Sequence, residues 1–184
     1  LSATGYPNAA TQSNICKSLK SDTWGKNKIM MGGNTLNPDY ALSWYSNYKA
    51  NFDEGNTHQL AGTFANYIGF MQQVKSDGKR LCQDEIHNVM EAMVGANYGM
   101  NDAIWWGTSE HARSQFCRAN DGTGYRLAYL EDSGTFTAAS IYRNTQDGVT
   151  EAYLGCSERQ ATETSYGFVS TDRDVYYDGY GPTR

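Results

Sequence analysis

In the stretch from Lys79 to Tyr98, the apolar residues from Asp84 onward fall at Ile86, Val89, Met90, Met93 and Val94. That is the i, i+3, i+4, i+7, i+8 spacing of one buried helical stripe. Asp84, His87, Asn88 and Glu91 fall on the other side. The pattern predicts a central core helix that begins near Asp84, ends between Asn97 and Gly99, and keeps its polar face in solvent. Other stretches carry the same period. Ser13 is placed to cap a short helix bearing Ile15, Cys16 and Leu19. Asn37-Pro38 marks a helix start, since Asn caps and Pro lacks only a donor that the first turn leaves unpaired anyway. Ala41, Trp44, Tyr45 and Tyr48 then share a face. Asp53 to Asn56 reads as a turn, and the next helix begins near Thr57 with Leu60, Phe64, Tyr67, Ile68 and Met71 as its stripe. Ser76-Asp77-Gly78 ends it. Lys26 to Met31 reads as extended. Ser109 is expected to cap a last helix with Ala112 and Phe116 inward.

After Asn120-Asp121-Gly122 the spacing changes. Tyr125 to Glu131, Phe136 to Arg143 and Val149 to Cys156 read as strands. Ser133-Gly134 and Gln146-Asp147-Gly148 are the turns of a meander. Tyr166 to Ser170 offers a fourth strand. Helices first and strands last predicts an α+β fold. The expectation is a single domain over residues 1–184, with helices in the first two-thirds packed on a C-terminal antiparallel β-meander as a two-layer sandwich. Residues 1–12 are expected to be a loose arm and 171–184 a loop-like tail.

Composition narrows the class. With 39% hydrophobic and 19% charged residues, fourteen Tyr and four Trp, the chain has too many aromatic anchors and too little charge for disorder. The net charge is −5, and Lys17, Lys20, Lys26 and Lys28 are spread among neutral residues. Nucleic acid and anionic membrane surfaces are therefore not expected as primary partners. No apolar run approaches the ~18 residues of a membrane span. Cys16, Cys82, Cys117 and Cys156 are widely spaced and form no CxxC, which predicts two structural disulfides in a secreted protein rather than a zinc or redox motif. The start at Leu1 fits removal of a leader.

Candidate chemistry is sparse. Trp105-Trp106 with Asp102 and Glu110 nearby is the most suggestive group, because aromatic faces stack on sugars and paired carboxylates hydrolyse glycosidic bonds. Trp44 is a further candidate for that binding surface. Asp84, His87 and Glu91 have a spacing that could converge on a metal, but opposite the apolar stripe they read as a solvated face, so no metal is expected. Glu110 and His111 diverge by about 100° on a helix and do not pair. There is no G-x-S-x-G, P-loop or GxGxxG, and no cofactor is expected. Lys79-Arg80 reads as a dibasic pair in a turn.

The run Cys82-Gln-Asp-Glu-Ile86-His-Asn88-Val-Met90, continuing to Gly99 behind Lys79-Arg80, resembles part of the yeast killer toxins and the killer-toxin-like secreted effectors of fungi. In these a cysteine leads an Ile/Leu–Asn–Met helix just after a Lys-Arg processing site. The resemblance implies a small secreted α/β sandwich, disulfide-bonded and non-enzymatic, acting on a target cell. The expectation is thus a secreted microbial toxin or effector that binds a target-cell surface protein or glycan. The alternative is a small secreted glycoside hydrolase, or a carbohydrate-binding protein, built around Trp105 and Trp106.

Overall fold

Two β-sheets of different kinds organise the chain in the computed structural model, which describes residues 8–108 and 110–166, with Asn34 by its backbone alone. The expected cap at Ser109, the tail over 171–184 and all but the first residue of the strand expected at Tyr166 to Ser170 lie outside the described residues. The fold is α+β and divides into two compact units. One comprises the chain up to Glu85 with Tyr98–Ile104, the other Ile86–Asn97 with the chain from Trp105 onward.

In the first unit, short strands alternate with helices: α1 (Ala9–Ser21), β1 (Met31–Thr35), α2 (Pro38–Tyr48), β2 (Glu54–Thr57), α3 (Phe64–Ser76), β3 (Arg80–Ile86) and, after an excursion into the second unit, β4 (Asp102–Trp105). The strands lie in the order β1-β2-β3-β4. β1 and β2 pair in parallel, Met31 opposite Glu54, and so do β2 and β3, Glu54 opposite Arg80. Parallel neighbours need a crossover, and α2 and α3 supply one each. The expected order of helices first and strands last does not include this early sheet. Four- and five-residue strands such as EGNT and MGGNT have no period-2 apolar alternation, so nothing in the pattern announces them. The turn expected at Asp53 to Asn56 is largely strand β2, and α3 starts not at Thr57 but at Phe64, capped by the Thr63 hydroxyl, which accepts from Asn66 N. Residues 9–12, expected in a loose arm, are the first turn of α1, capped by Asn8.

The core of this unit is aromatic. Tyr45 packs edge-on against Tyr48 and Phe70 at ring distances of 5.6 and 5.8 Å, and Tyr48 against Phe52 at 4.9 Å. Strand glycines make the room: a Cβ on Gly55 would stand 2.7 Å from Val74 of α3.

The second unit holds α4 (Val89–Asn97), α5 (His111–Asn120) and the antiparallel meander β5 (Gly124–Asp132), β6 (Thr137–Asn144) and β7 (Thr150–Cys156), as the alternation predicted. Ser140 faces Tyr129 on one side and Tyr153 on the other. Phe116 of α5 meets Tyr142 and Tyr153 of the sheet at 5.8 and 5.2 Å, each edge to face. Gly155 lets β7 approach α4; a Cβ there would stand 2.7 Å from Met90 N. The central helix starts at Val89, because Asp84 to Ile86 belong to β3. Ile86, Val89, Met90 and Met93 are buried as expected. Glu91 is not solvated: it is 1% exposed. Its carboxylate accepts from His87 N and Asn88 Nδ2, while Asn88 Oδ1 accepts from Glu91 N. Asn88 and Glu91 thus bond to each other reciprocally at the start of α4, much as in a capping box, and these bonds explain why a carboxylate sits in this core.

The four cysteines are free, Cys16 and Cys82 buried, Cys117 and Cys156 exposed. The two expected disulfides are not formed. Two of the sulfurs have other partners: the Cys16 thiol donates to Asn51 O at 2.6 Å, and Cys117 Sγ accepts from Trp105 Nε1 at 3.2 Å.

Candidate functional site

In a parallel sheet every strand ends at the same edge, and that edge is where ligands bind in open α/β sheets. In the first unit it is unusually polar. Thr35, Asn56, Thr57, His58, Gln59 and Gln83 are all buried there. Thr35 at the end of β1 and Thr57 at the end of β2 share a hydroxyl hydrogen bond of 2.8 Å. The chain leaving β2 stays beside the chain leaving β1, with His58 N donating to Thr35 O and Leu60 N to Leu36 O. Tyr67 OH donates to Gln83 Oε1.

At the centre stands His58, whose side chain is 3% exposed. Its Nε2 lies 2.6 Å from Asp84 Oδ1 and its Nδ1 lies 3.1 Å from Glu85 Oε2; the two carboxylates are 19% and 25% exposed. Asp84 is held from a second side. Asn56 Nδ2 donates to its Oδ1 at 2.8 Å, and Asp84 N donates back to Asn56 Oδ1. Burial pushes the Asp84 carboxyl upward, but hydrogen bonds from His58 and Asn56 outweigh it and leave its pKa below the ordinary value. The ring thus bridges two carboxylates, one facing each nitrogen.

The helix starts at this edge are tied together. Asn37 Oδ1 accepts from Asp39 N. Asp39 Oδ1 accepts from Thr63 N at 2.8 Å, Thr63 Oγ1 at 3.1 Å and Asn66 Nδ2 at 2.8 Å. The backbone bond from Thr63, then Asn66, lowers the Asp39 pKa. Tyr40, next along α2, is 60% exposed.

At the opposite edge Glu54, 7% exposed, lies opposite Arg80. Its Oε1 is 3.5 Å from Arg80 Nε, and Arg80 pairs with Asp102. Burial, then the nearby Asp102, pushes the Glu54 pKa up to about 7. Burial, with Glu54, Asp84 and Asp102 around it, pushes the Cys82 thiol up to about 12. Lys79-Arg80 is not a solvated dibasic turn: Arg80 is in β3, and Lys79 Nζ donates to Phe52 O.

The residues expected to form a carbohydrate site are dispersed. Asp102 and Trp44 belong to the first unit, where Asp102 is bound to Arg80 and Trp44 is half-buried on α2. Trp105, Trp106 and Glu110 belong to the second. There Arg113 is the hub. Its guanidinium lies 5.2 Å over the Trp105 ring and donates to the carbonyls of Trp106 and His87 at 2.8 and 2.6 Å. Trp106 stacks on His87 at 6.0 Å and stays 63% exposed. Glu110 occupies the N-cap position of α5. Asp84, His87 and Glu91 do not converge: Asp84 closes on His58, Glu91 caps α4, and His87 Nδ1 lies 3.3 Å from Glu158 Oε2. Among the described residues no group of three His, Cys, Asp or Glu is arranged to hold a metal ion. His58 escaped the sequence reading because the four-residue strand that presents it was not recognised. Comparison with known proteins leaves the geometry to speak for itself: no family model, no curated protein and no solved structure matches this chain.

Proposed function

We propose that the first unit binds a hydroxyl-rich ligand of carbohydrate type at the carboxyl edge of its parallel sheet, with Asp84 and Glu85 as its acid–base pair. The observation that carries this reading is His58, buried between those two partly exposed carboxylates. Carboxylates bind sugar hydroxyls through directional hydrogen bonds, and the partly exposed Asp84 and Glu85 supply them. Asp84, kept ionised by His58 and Asn56, is the base. His58 stands against both carboxylates and fixes where they point, so it is a positioning residue. The test is a glycan-array screen followed by calorimetry and a reducing-end release assay. Asp84→Asn and Glu85→Gln are expected to abolish binding or cleavage with an unchanged circular dichroism spectrum. If the native protein retains no glycan at all, the reading fails.

A second reading has its own support. The outward residues of the second unit include Tyr125, Leu127, Leu130 and Ile141, with Trp106 also exposed. An exposed apolar surface with an aromatic anchor fits a protein that acts by binding, as a secreted toxin or effector of killer-toxin-like type would at a target cell. On this reading the exposed thiols Cys117 and Cys156 meet an oxidising medium, and thiol titration of the secreted protein counts those that remain. Trp106→Ala and Leu130→Asp then abolish target binding, whereas Asp84→Asn leaves it intact.

A further inference from the structure

Five of the large apolar side chains left exposed by the first unit fall within seventeen residues: Ile15 at 50%, Leu19 at 41%, Trp24 at 63%, Ile29 at 59% and Met31 at 38%. Ile15 and Leu19 are one helical turn apart on α1 and so share a face. The chain then folds back on the end of that helix. Asp22 N donates to Leu19 O, Lys26 N to Asp22 O and Lys28 N to Gly25 O, and a 3-10 turn over Gly25–Asn27 seats its glycine against the Leu19 backbone. Lys28 Nζ lies 5.6 Å over the Trp24 ring.

The same segment is basic within an acidic protein. Lys17, Lys20, Lys26 and Lys28 stand against the single carboxylate Asp22, while the whole chain carries −5. Lys20 is taken up by Asp53, but Lys17, Lys26 and Lys28 are exposed. Three exposed lysines thus share one short folded segment with an exposed Trp and four exposed aliphatic side chains, and Lys28 lies against the Trp itself. Tryptophan and aliphatic residues seat at the boundary of headgroups and acyl chains, and neighbouring lysines snorkel toward lipid phosphates.

We infer that this face, formed by the end of α1, the 3-10 turn and the start of β1, docks on an anionic phospholipid surface. The binding is peripheral: among the described residues no helix is long and apolar enough to cross a membrane. Charge complementarity selects the occupant, because net repulsion between this acidic protein and an anionic bilayer is overcome only where the local charge is positive.

The test is co-sedimentation of the full chain with vesicles of phosphatidylcholine alone and of phosphatidylcholine mixed with phosphatidylglycerol, at low and physiological salt. Binding is expected to the anionic vesicles only, and to weaken with salt. Lys26→Glu with Lys28→Glu is expected to weaken it at least about twentyfold. Trp24→Ser with Ile29→Ser is expected to abolish it. All four residues are exposed, so both variants keep the native circular dichroism spectrum. Equal binding to both vesicle types, no binding to either, or binding that is insensitive to the Trp24 and Ile29 changes overturns the inference.

Discussion

The two units divide polar from apolar side chains in different ways. In the first, β1, β2 and β3 run parallel and end together, so polar groups gather along one edge: Thr35, Thr57, His58, Gln83, Asp84 and Glu85. In the second, strands run antiparallel and the division is between two faces of one sheet. Phe116, Tyr142 and Tyr153 fill the inner side, and Tyr125, Leu130 and Ile141 look outward. Connection is the physical cause. A crossover helix returns each strand to the same starting side, whereas a hairpin reverses it. The first unit therefore concentrates ionisable groups, and its stability is set partly by protons. The sheet of the second is held on its inner side by packing among the Phe116, Tyr142 and Tyr153 rings.

The largest expected effect tests the packing half of this contrast. Phe116→Ala removes the ring shared by Tyr142 and Tyr153 and is expected to cost about 3–5 kcal/mol in urea unfolding, by the same amount at pH 5 and pH 8. A cost that changes with pH would break the contrast.

His58→Ala comes next. It removes the ring that bridges Asp84 and Glu85, leaves those partly buried carboxylates without that partner, and is expected to cost about 3 kcal/mol near neutral pH. The Asp84 pKa is held low in the folded state, so its contribution is present above the unfolded value of about 3.9 and is lost as pH falls through the folded value. The cost of His58→Ala should shrink in that acid range. A cost constant down to pH 3 would place the effect in packing instead.

Glu54 is expected to act in the opposite sense. Its folded pKa of about 7 lies above the unfolded value of about 4.3, so the folded state keeps the proton longer. Stability from this group falls as pH rises from about 4.3 to about 7. Glu54→Gln cannot titrate. It should match the native protein near pH 4 and exceed it above pH 7, read from urea midpoints. The reverse order at alkaline pH would mean that Arg80 depends on the charge.

The smallest effect is expected at Arg118, whose ion pair with Asp147 joins two exposed side chains at 2.8 Å. Solvent screens such a pair. Arg118→Ala should leave the urea midpoint where it is in high and low salt alike.

The sequence announced the second unit better than the first, and the reason lies in particular residues. Strand β6 alternates buried Ala138, Ser140, Tyr142 and Asn144 with more exposed neighbours, and its turns carry Ser133-Gly134 and Asp147-Gly148. Asn37-Pro38 likewise marks the start of α2 to the residue. Strands β2 and β3 carry no such mark. Glu54-Gly-Asn-Thr57 is fully buried yet has no aliphatic side chain, and Gln83-Asp-Glu85 looks like a solvated helix surface. Their burial comes from neighbours distant in the chain, and local periodicity cannot register that. The cluster at His58 was illegible for the same reason, since it exists only once those two strands are side by side.

Strand β5 carries a last consequence. It is a nine-residue strand at the margin of its sheet, with Leu127 and Leu130 at 50% and 69% exposure. A regular strand of that kind is a template on which other chains add and fibres grow. The pairing of β5 with β6 slips between Arg126 and Ala128, which bends the strand and breaks the row of donors and acceptors it would present. One extra residue at Leu127, beside a positive charge at Arg126, thus guards the protein against self-association at high concentration.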